Sequence, residues 1–292
     1  MTAHAVREAL PARRARVRLP FKGQTTLRLG LAILLAMMAV GVLGRVALPS
    51  ADQQDLANAF AAPGSPGHLL GTDQLGRDVL AWISDGIWIA LAVALGVVVI
   101  SSVVGVAVGL CAGYFGGVAD MLLMRLVDLS LAIPPLILFL AAAAVLRTSI
   151  VTLILLISAV SWLPYARLVR SVTLLERERG YVITARLAGA SRTRILVGHL
   201  LPSVSTVVLV LASLQVGYVL LWESGLSFLG LGVRPPHHSL GYIIAQGRDS
   251  LQQAWWVVVL PGAALALLVL AANLIGDGLR DLIQQDVEVA ER

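Results

Sequence analysis

Charge is what this sequence has least of. Of 292 residues only 39 are charged, 22 basic and 17 acidic, a share of 13% against about 25% in an average soluble domain. With 58% hydrophobic residues and a mean hydropathy of +0.86, it has too few charges to cover a soluble fold and is too apolar to stay disordered. The chain reads as an integral membrane protein. Cysteine is nearly absent as well: Cys111 has no intrachain partner, and inside an apolar run it reads as a small core residue. Lysine occurs once, as Lys22 between Phe21 and Gly23, so the Gly-Lys-Ser/Thr of a phosphate-binding P-loop cannot form. Any ATP-driven function must therefore use a separate ATPase chain. Neither an HExxH zinc motif nor a GxSxG nucleophile elbow occurs, so soluble-type hydrolytic chemistry has no residues to run on.

What is present is a set of long runs free of Asp, Glu, Lys and Arg. There are six: 29–44, 86–119, 129–146, 148–166, 195–222 and 250–276. A helix needs roughly 20 apolar residues to cross about 30 Å of hydrocarbon. The 34-residue run 86–119 exceeds one span, but two helices and a loop need more, and its end, Gly113-Tyr-Phe-Gly-Gly117, is turn-rich; it reads as one helix. Runs 129–146 and 148–166, parted only by Arg147, read as an antiparallel hairpin, with Pro134-Pro135 and Pro164 against one continuous helix. The expectation is an all-α, polytopic membrane protein of six transmembrane helices. Its parts are a basic N-terminal segment (1–28), a first span (29–48), a loop (49–85), a five-helix core (86–276) containing a basic loop (164–201), and a tail (277–292).

Basic residues set the orientation. With the N-terminus inside, 17 of the 22 fall on the cytoplasmic side and five outside, so both termini are expected in the cytoplasm. Because the basic residues are divided among loops rather than gathered on one face, no nucleic-acid partner is expected. A cleaved signal peptide ending near Val46–Ala51 is disfavoured by Arg45. Charge-free spans also weaken a proton-coupled carrier, which commonly places ionisable groups in the membrane. His199 falls at an interface, and Pro235-Pro-His-His238 reads as a solvated loop whose histidines diverge.

The segment 181–195 has no helix breaker except Gly189. As a helix it places Tyr181, Ala185, Ala188 and Arg192 along one side, with small residues that let another backbone approach. Two readings stand: a helix docked in a partner's groove, or one lying on lipid headgroups.

Five motifs in order resemble the C-type permease subunit of the bacterial dipeptide, oligopeptide and nickel ABC importers. They are His68-Leu-Leu-Gly-Thr-Asp-Gln-Leu-Gly-Arg-Asp-Val79, Ala112-Gly-Tyr-Phe-Gly-Gly117, Met124-Arg-Leu-Val-Asp128, Glu223-Ser-Gly-Leu-Ser-Phe-Leu-Gly-Leu-Gly-Val-Arg-Pro-Pro236 and Asn273-Leu-Ile-Gly-Asp-Gly-Leu-Arg-Asp281. The resemblance covers roughly residues 68–284. It implies a type I importer permease fold and an EAA loop that couples to the ATPase. The matching positions are Ile183, Thr184, Ala185 and Gly189, followed by Leu201-Pro202, with Tyr181, Arg186, Ala190, Ser191 and Arg194 around them. Ile183 and Thr184 depart from the family's Glu-Ala, which removes a carboxylate that could pair with an ATPase arginine.

The resemblance further implies a non-catalytic subunit that carries no cofactor itself. Its expected partners are a B-type permease completing the pathway, one or two ATPase subunits binding ATP and Mg, an extracytoplasmic binding protein, and the bilayer. Di- and oligopeptides are the implied cargo, with nickel or another small solute as the alternative. Arg77, Asp78, Arg248 and Asp249 are either binding-protein contacts or loop-fixing ion pairs. Glu223 is either pathway-facing or a loop anchor. Arg125 and Asp128, at i and i+3, are expected to pair.

Overall fold

The computed structural model describes residues 22–48, 50–146, 149–233 and 236–290; most of the basic N-terminal segment, Arg147 and Arg234 lie outside them. Among the described residues ten α-helices follow in order: α1 (Lys22–Ala47), α2 (Val79–Phe115), α3 (Gly117–Ala132), α4 (Pro135–Val145), α5 (Ile150–Glu176), α6 (Gly180–Leu187), α7 (Arg192–Ile195), α8 (Leu201–Phe228), α9 (Leu240–Gly247) and α10 (Trp256–Ala290). A π-helical turn at Leu196–Leu200 leads into α8. No strand occurs among the described residues.

Five stretches are long and apolar enough to cross a membrane, and a bent pair makes a sixth. The run 86–119 is one helix, because nothing in it interrupts the hydrogen-bond ladder until Gly116 and Gly117 take positive φ values of 64° and 54°. The third span, expected over the apolar run 129–146, is not a single helix. It is broken: α3 and α4 meet at 80°. Pro134 and Pro135 cause the break, since neither has an N–H to donate and each restricts the residue before it, leaving Ile133 and Pro134 extended. Pro164, by contrast, sits inside α5, which continues to Glu176; the loop expected from 164 therefore starts about three turns later.

The tightest packing is between α2 and α5, which run parallel. Gly105, Gly109 and Gly113 form a stripe at four-residue spacing against Tyr165 and Ala166, Val169 and Arg170, and Thr173. A Cβ added at any of them would come within 2.4 to 2.7 Å of α5 atoms. Small residues at this spacing let membrane helices gain dispersion contacts that larger ones would hold apart. Helices α1 and α10 pack antiparallel in the same way, Gly30 against Ala271 and Ile275, and Gly278 against Leu27. The main core joins Trp82, Ile87 and Val93 of α2 with Ile157 of α5, Leu220 of α8, Ile243 of α9 and Leu268 of α10. Leu95, Val99 and Val103 of α2 and Leu209 and Leu221 of α8 are instead exposed, as a bilayer-facing surface requires.

Candidate functional site

At one end of the bundle, α5 and α8 hold the segment of the EAA-like positions. Helix α6 ends in a two-bond clasp: Gly189 N–H donates to the Arg186 carbonyl (3.1 Å) and Ala190 N–H to the Ala185 carbonyl (3.0 Å). This Schellman closure requires the left-handed φ of 81° at Gly189, and a Cβ there would meet nothing within 4 Å. The expected continuous helix over 181–195 is thus two helices set apart by a turn, with Ser191 capping α7 by accepting from Arg194 N–H (3.3 Å). The physical reason is the Gly itself, which reverses the chain where any other residue would be strained.

The turn presents its side chains outward. Ile183, Thr184, Arg186, Leu187, Ser191 and Arg194 are exposed, and Ala185 and Ala190 are half-buried. Val182 points the other way and packs with Ile195, Leu200, Val204 and Val169. Tyr181 fixes the frame: its hydroxyl donates to Glu176 Oε2 (2.6 Å) and lies 3.1 Å from Ser203 Oγ on α8. Burial, with the adjacent Glu176 carboxylate, raises its phenol above the ordinary pKa.

Three arginines just upstream tie this end to the rest of the bundle. Arg177 donates to the Gly113 carbonyl of α2 (2.8 Å), Arg170 makes a two-pronged pair with Asp120 of α3, and Arg167 Nη2 reaches Asp128 of α3 at 2.6 Å. Asp128 therefore pairs across helices and not with Arg125 as expected. The carboxylate takes a guanidinium from the neighbouring helix in place of one from its own.

At the opposite end, the motif 68–79 folds into a knot. Asp73 accepts from the backbone N–H of Leu75 and Arg77 and from Arg77 Nε (2.8 Å), while the Arg77 guanidinium lies over the Trp82 ring at 3.9 Å. Asp78 caps α2, accepting from Leu80 and Ala81 N–H, and its other oxygen meets His68 Nδ1 at 2.9 Å. Arg77 and Asp78 are both buried, and their hydrogen-bonding capacity is used inside the loop. Glu223 is fully buried and accepts from Ser227 Oγ (2.8 Å) and Ser224 Oγ (3.3 Å). Arg248 and Asp249 are exposed and pair with each other at 3.3 Å.

His238 corrects the expected solvated loop. His237 is exposed, but His238 is fully buried, stacked on Trp82 with ring centroids 5.4 Å apart. Asp52 Oδ1 lies 3.2 Å from Nε2 and Asp85 Oδ2 3.8 Å from Nδ1, yet neither ring nitrogen makes a hydrogen bond of good geometry. Burial lowers its pKa below 6.5 against the upward pull of Asp52 and Asp85; Arg77 and His237 add to the lowering.

A cavity of about 310 Å³ opens between the broken third span, α5 and α8. Leu131, Pro135 and Phe139 form one wall, Val160, Ser161 and Pro164 a second, and Gln215, Tyr218 and Trp222 a third. Phe139 and Tyr218 each meet Trp222 edge-on, at 5.1 and 5.9 Å. Sequence reasoning missed this place. The available signal was Gln215, a carboxamide in the middle of an otherwise apolar run.

Residues 105–289 match the family described as the binding-protein-dependent transport system inner membrane component. Three relatives agree. The chain is 42% identical to the di/tripeptide transport system permease protein of Pseudomonas aeruginosa, over 76% of this chain and 73% of that one. It is 39% identical to the oligopeptide transport system permease protein of Mycobacterium bovis, over 86% and 87%. It is 35% identical to the dipeptide transport system permease protein of Haemophilus influenzae, over 90% and 91%. The chain belongs to this family of multi-pass membrane permeases.

Proposed function

From that membership we propose that the chain is the C-type permease subunit of an ABC importer for di- and oligopeptides. A B-type permease completes the pathway, cytoplasmic ATPases bind ATP and Mg, and an extracytoplasmic binding protein delivers cargo. Both termini and the 177–195 turn face the cytoplasm, in line with 17 of 22 basic residues on that side. The relatives' peptide cargo supports the substrate class.

The observation that carries the coupling role is the turn from Ile183 to Arg194, closed by its own backbone bonds with most of its side chains exposed. ATP-driven closure of the ATPases displaces this turn. Tyr181 and Val182 pass the displacement to α5 and α8, and the Arg177, Arg170 and Arg167 contacts carry α2 and α3 along. The joint between Ile133 and Pro134 then lets α4 change its angle to α3, since neither proline can donate back to α3 and the bonds to the Pro134 carbonyl come from Ile137 and Leu138 of α4 itself.

The test is coexpression with the partner chains. A complex that copurifies and takes up radiolabelled dipeptide only when this chain is present supports the proposal. Uptake by this chain alone in liposomes, driven by an ion gradient, sinks it. Competition by nickel but not by dipeptide would replace the cargo.

A further inference from the structure

We propose that the cavity between α3–α4, α5 and α8 is this chain's share of the peptide pathway, and that Gln215 hydrogen-bonds the backbone amide of the peptide in transit. The inference rests on the import reading above and names its site. Gln215 lies 14 residues into α8 from Leu201, about 21 Å along the helix and so near mid-membrane. Its side chain is nine-tenths buried, and its one hydrogen bond there, Nε2 to the Ser161 carbonyl, is long at 3.4 Å. A carboxamide in hydrocarbon is costly unless it is paired, and a weak bond leaves it capacity for a visitor.

Pro164 has no N–H, so the Val160 carbonyl one turn earlier has no helical donor, and both residues line the cavity. Gln215, a neutral donor-acceptor on α8, thus lines the same cavity as Val160 and Pro164 of α5, and Tyr218 and Trp222 add aromatic rings beside them. This is the complement of a peptide unit, which is itself a neutral donor and acceptor. The cavity walls hold no Asp, Glu, Lys, Arg or His, so side chains of either charge are neither trapped nor repelled. The chemistry suits cargo whose backbone is constant and whose side chains vary. Tyr218 and Leu131 are half exposed, which leaves the cavity open on the side that a second permease would close.

The test uses the complete importer, reconstituted with all its subunits after Cys111→Ala. Tyr218→Cys is compared with Leu209→Cys, an exposed apolar position on the same helix. A charged, water-soluble methanethiosulfonate should react about tenfold faster or more with the Tyr218→Cys complex, because a thiolate does not form in lipid. Dipeptide-loaded binding protein with ATP should slow that reaction. Gln215→Leu should lower dipeptide uptake about tenfold while binding-protein-stimulated ATP hydrolysis is retained, the loss of one buried hydrogen bond. Equal labelling at the two positions, or unchanged uptake by Gln215→Leu, overturns the assignment and leaves the import reading standing. Absence of dipeptide uptake by the unsubstituted complex overturns the import reading itself, and with it the peptide.

Discussion

The loop between α1 and α2 and the turn between α5 and α8 both carry ordered motifs, and they use their polar groups in opposite ways. In the first, Thr72, Asp73, Arg77 and Asp78 are buried and bonded to one another or to nearby backbone. In the second, Thr184, Arg186, Ser191 and Arg194 stand exposed on a frame closed by backbone bonds. A motif of charged residues can therefore encode either a lock or a handle. Burial tells them apart: a buried ion pair is spent on the fold, whereas side chains exposed on a turn stay accessible to a partner.

The sharpest break in that comparison is Gly76→Val. Gly76 has φ of 73°, and a Cβ there would lie 1.7 Å from the Asp55 carbonyl oxygen, so the loop cannot close. Immunoblots of membranes should show the protein lost. Gly189→Arg should do the reverse, leaving the protein at normal membrane levels while dipeptide uptake falls to background and the ATPase no longer copurifies. Normal transport by that variant would remove the coupling role from the turn. Between these lies Asp73→Asn, which leaves the buried Arg77 guanidinium unpaired; it should cost about 3–5 kcal/mol and lower the melting temperature in detergent.

A smaller effect is set by His238. Its folded-state pKa is lowered, so stability is fully present above pH 6.5, where both states are neutral. As pH falls below that value, the unfolded chain takes up a proton that the folded site resists, and the loop loses stability. Thermal melts between about pH 8 and pH 5 should show this slope, and His238→Gln should flatten it. The smallest effect is expected of Ile183→Glu, which restores the carboxylate of the family pattern at an exposed position. ATPase retention should rise at low salt by no more than about 1 kcal/mol and fade as salt increases.

The sequence made the helical class and the apolar runs legible because counting charges is enough when a 34-residue stretch contains none. Direction was harder to read. A run such as 129–146 reports that its residues tolerate lipid, not that Pro134 and Pro135 turn the chain by 80° within it. Pro164 shows the converse, a proline that the surrounding packing keeps inside a helix. Gly189 marked the turn between α6 and α7 in the sequence because the signal is local, although the segment around it read as one helix. The cavity was not legible, since residues 131–139, 157–164 and 215–222 meet only after folding. His238 was misread for a related reason: Pro-Pro-His-His looks like surface until Trp82, more than 150 residues earlier, covers the ring.

The glycine stripe on α2 has a mechanical consequence. From Gly105, where an added Cβ would lie 2.6 Å from the Trp162 carbonyl oxygen, to Gly113, where it would lie 3.0 Å from that of Arg170, the two helices are in near-backbone contact for eight residues, about 12 Å at 1.5 Å per residue. Two rods seated together over that length resist bending far better than either alone. On the proposed coupling, a push applied where α5 leaves the membrane is shared with α2 along this seam, while the pair parted at Pro134 has no glycine seam of this kind and is free to hinge.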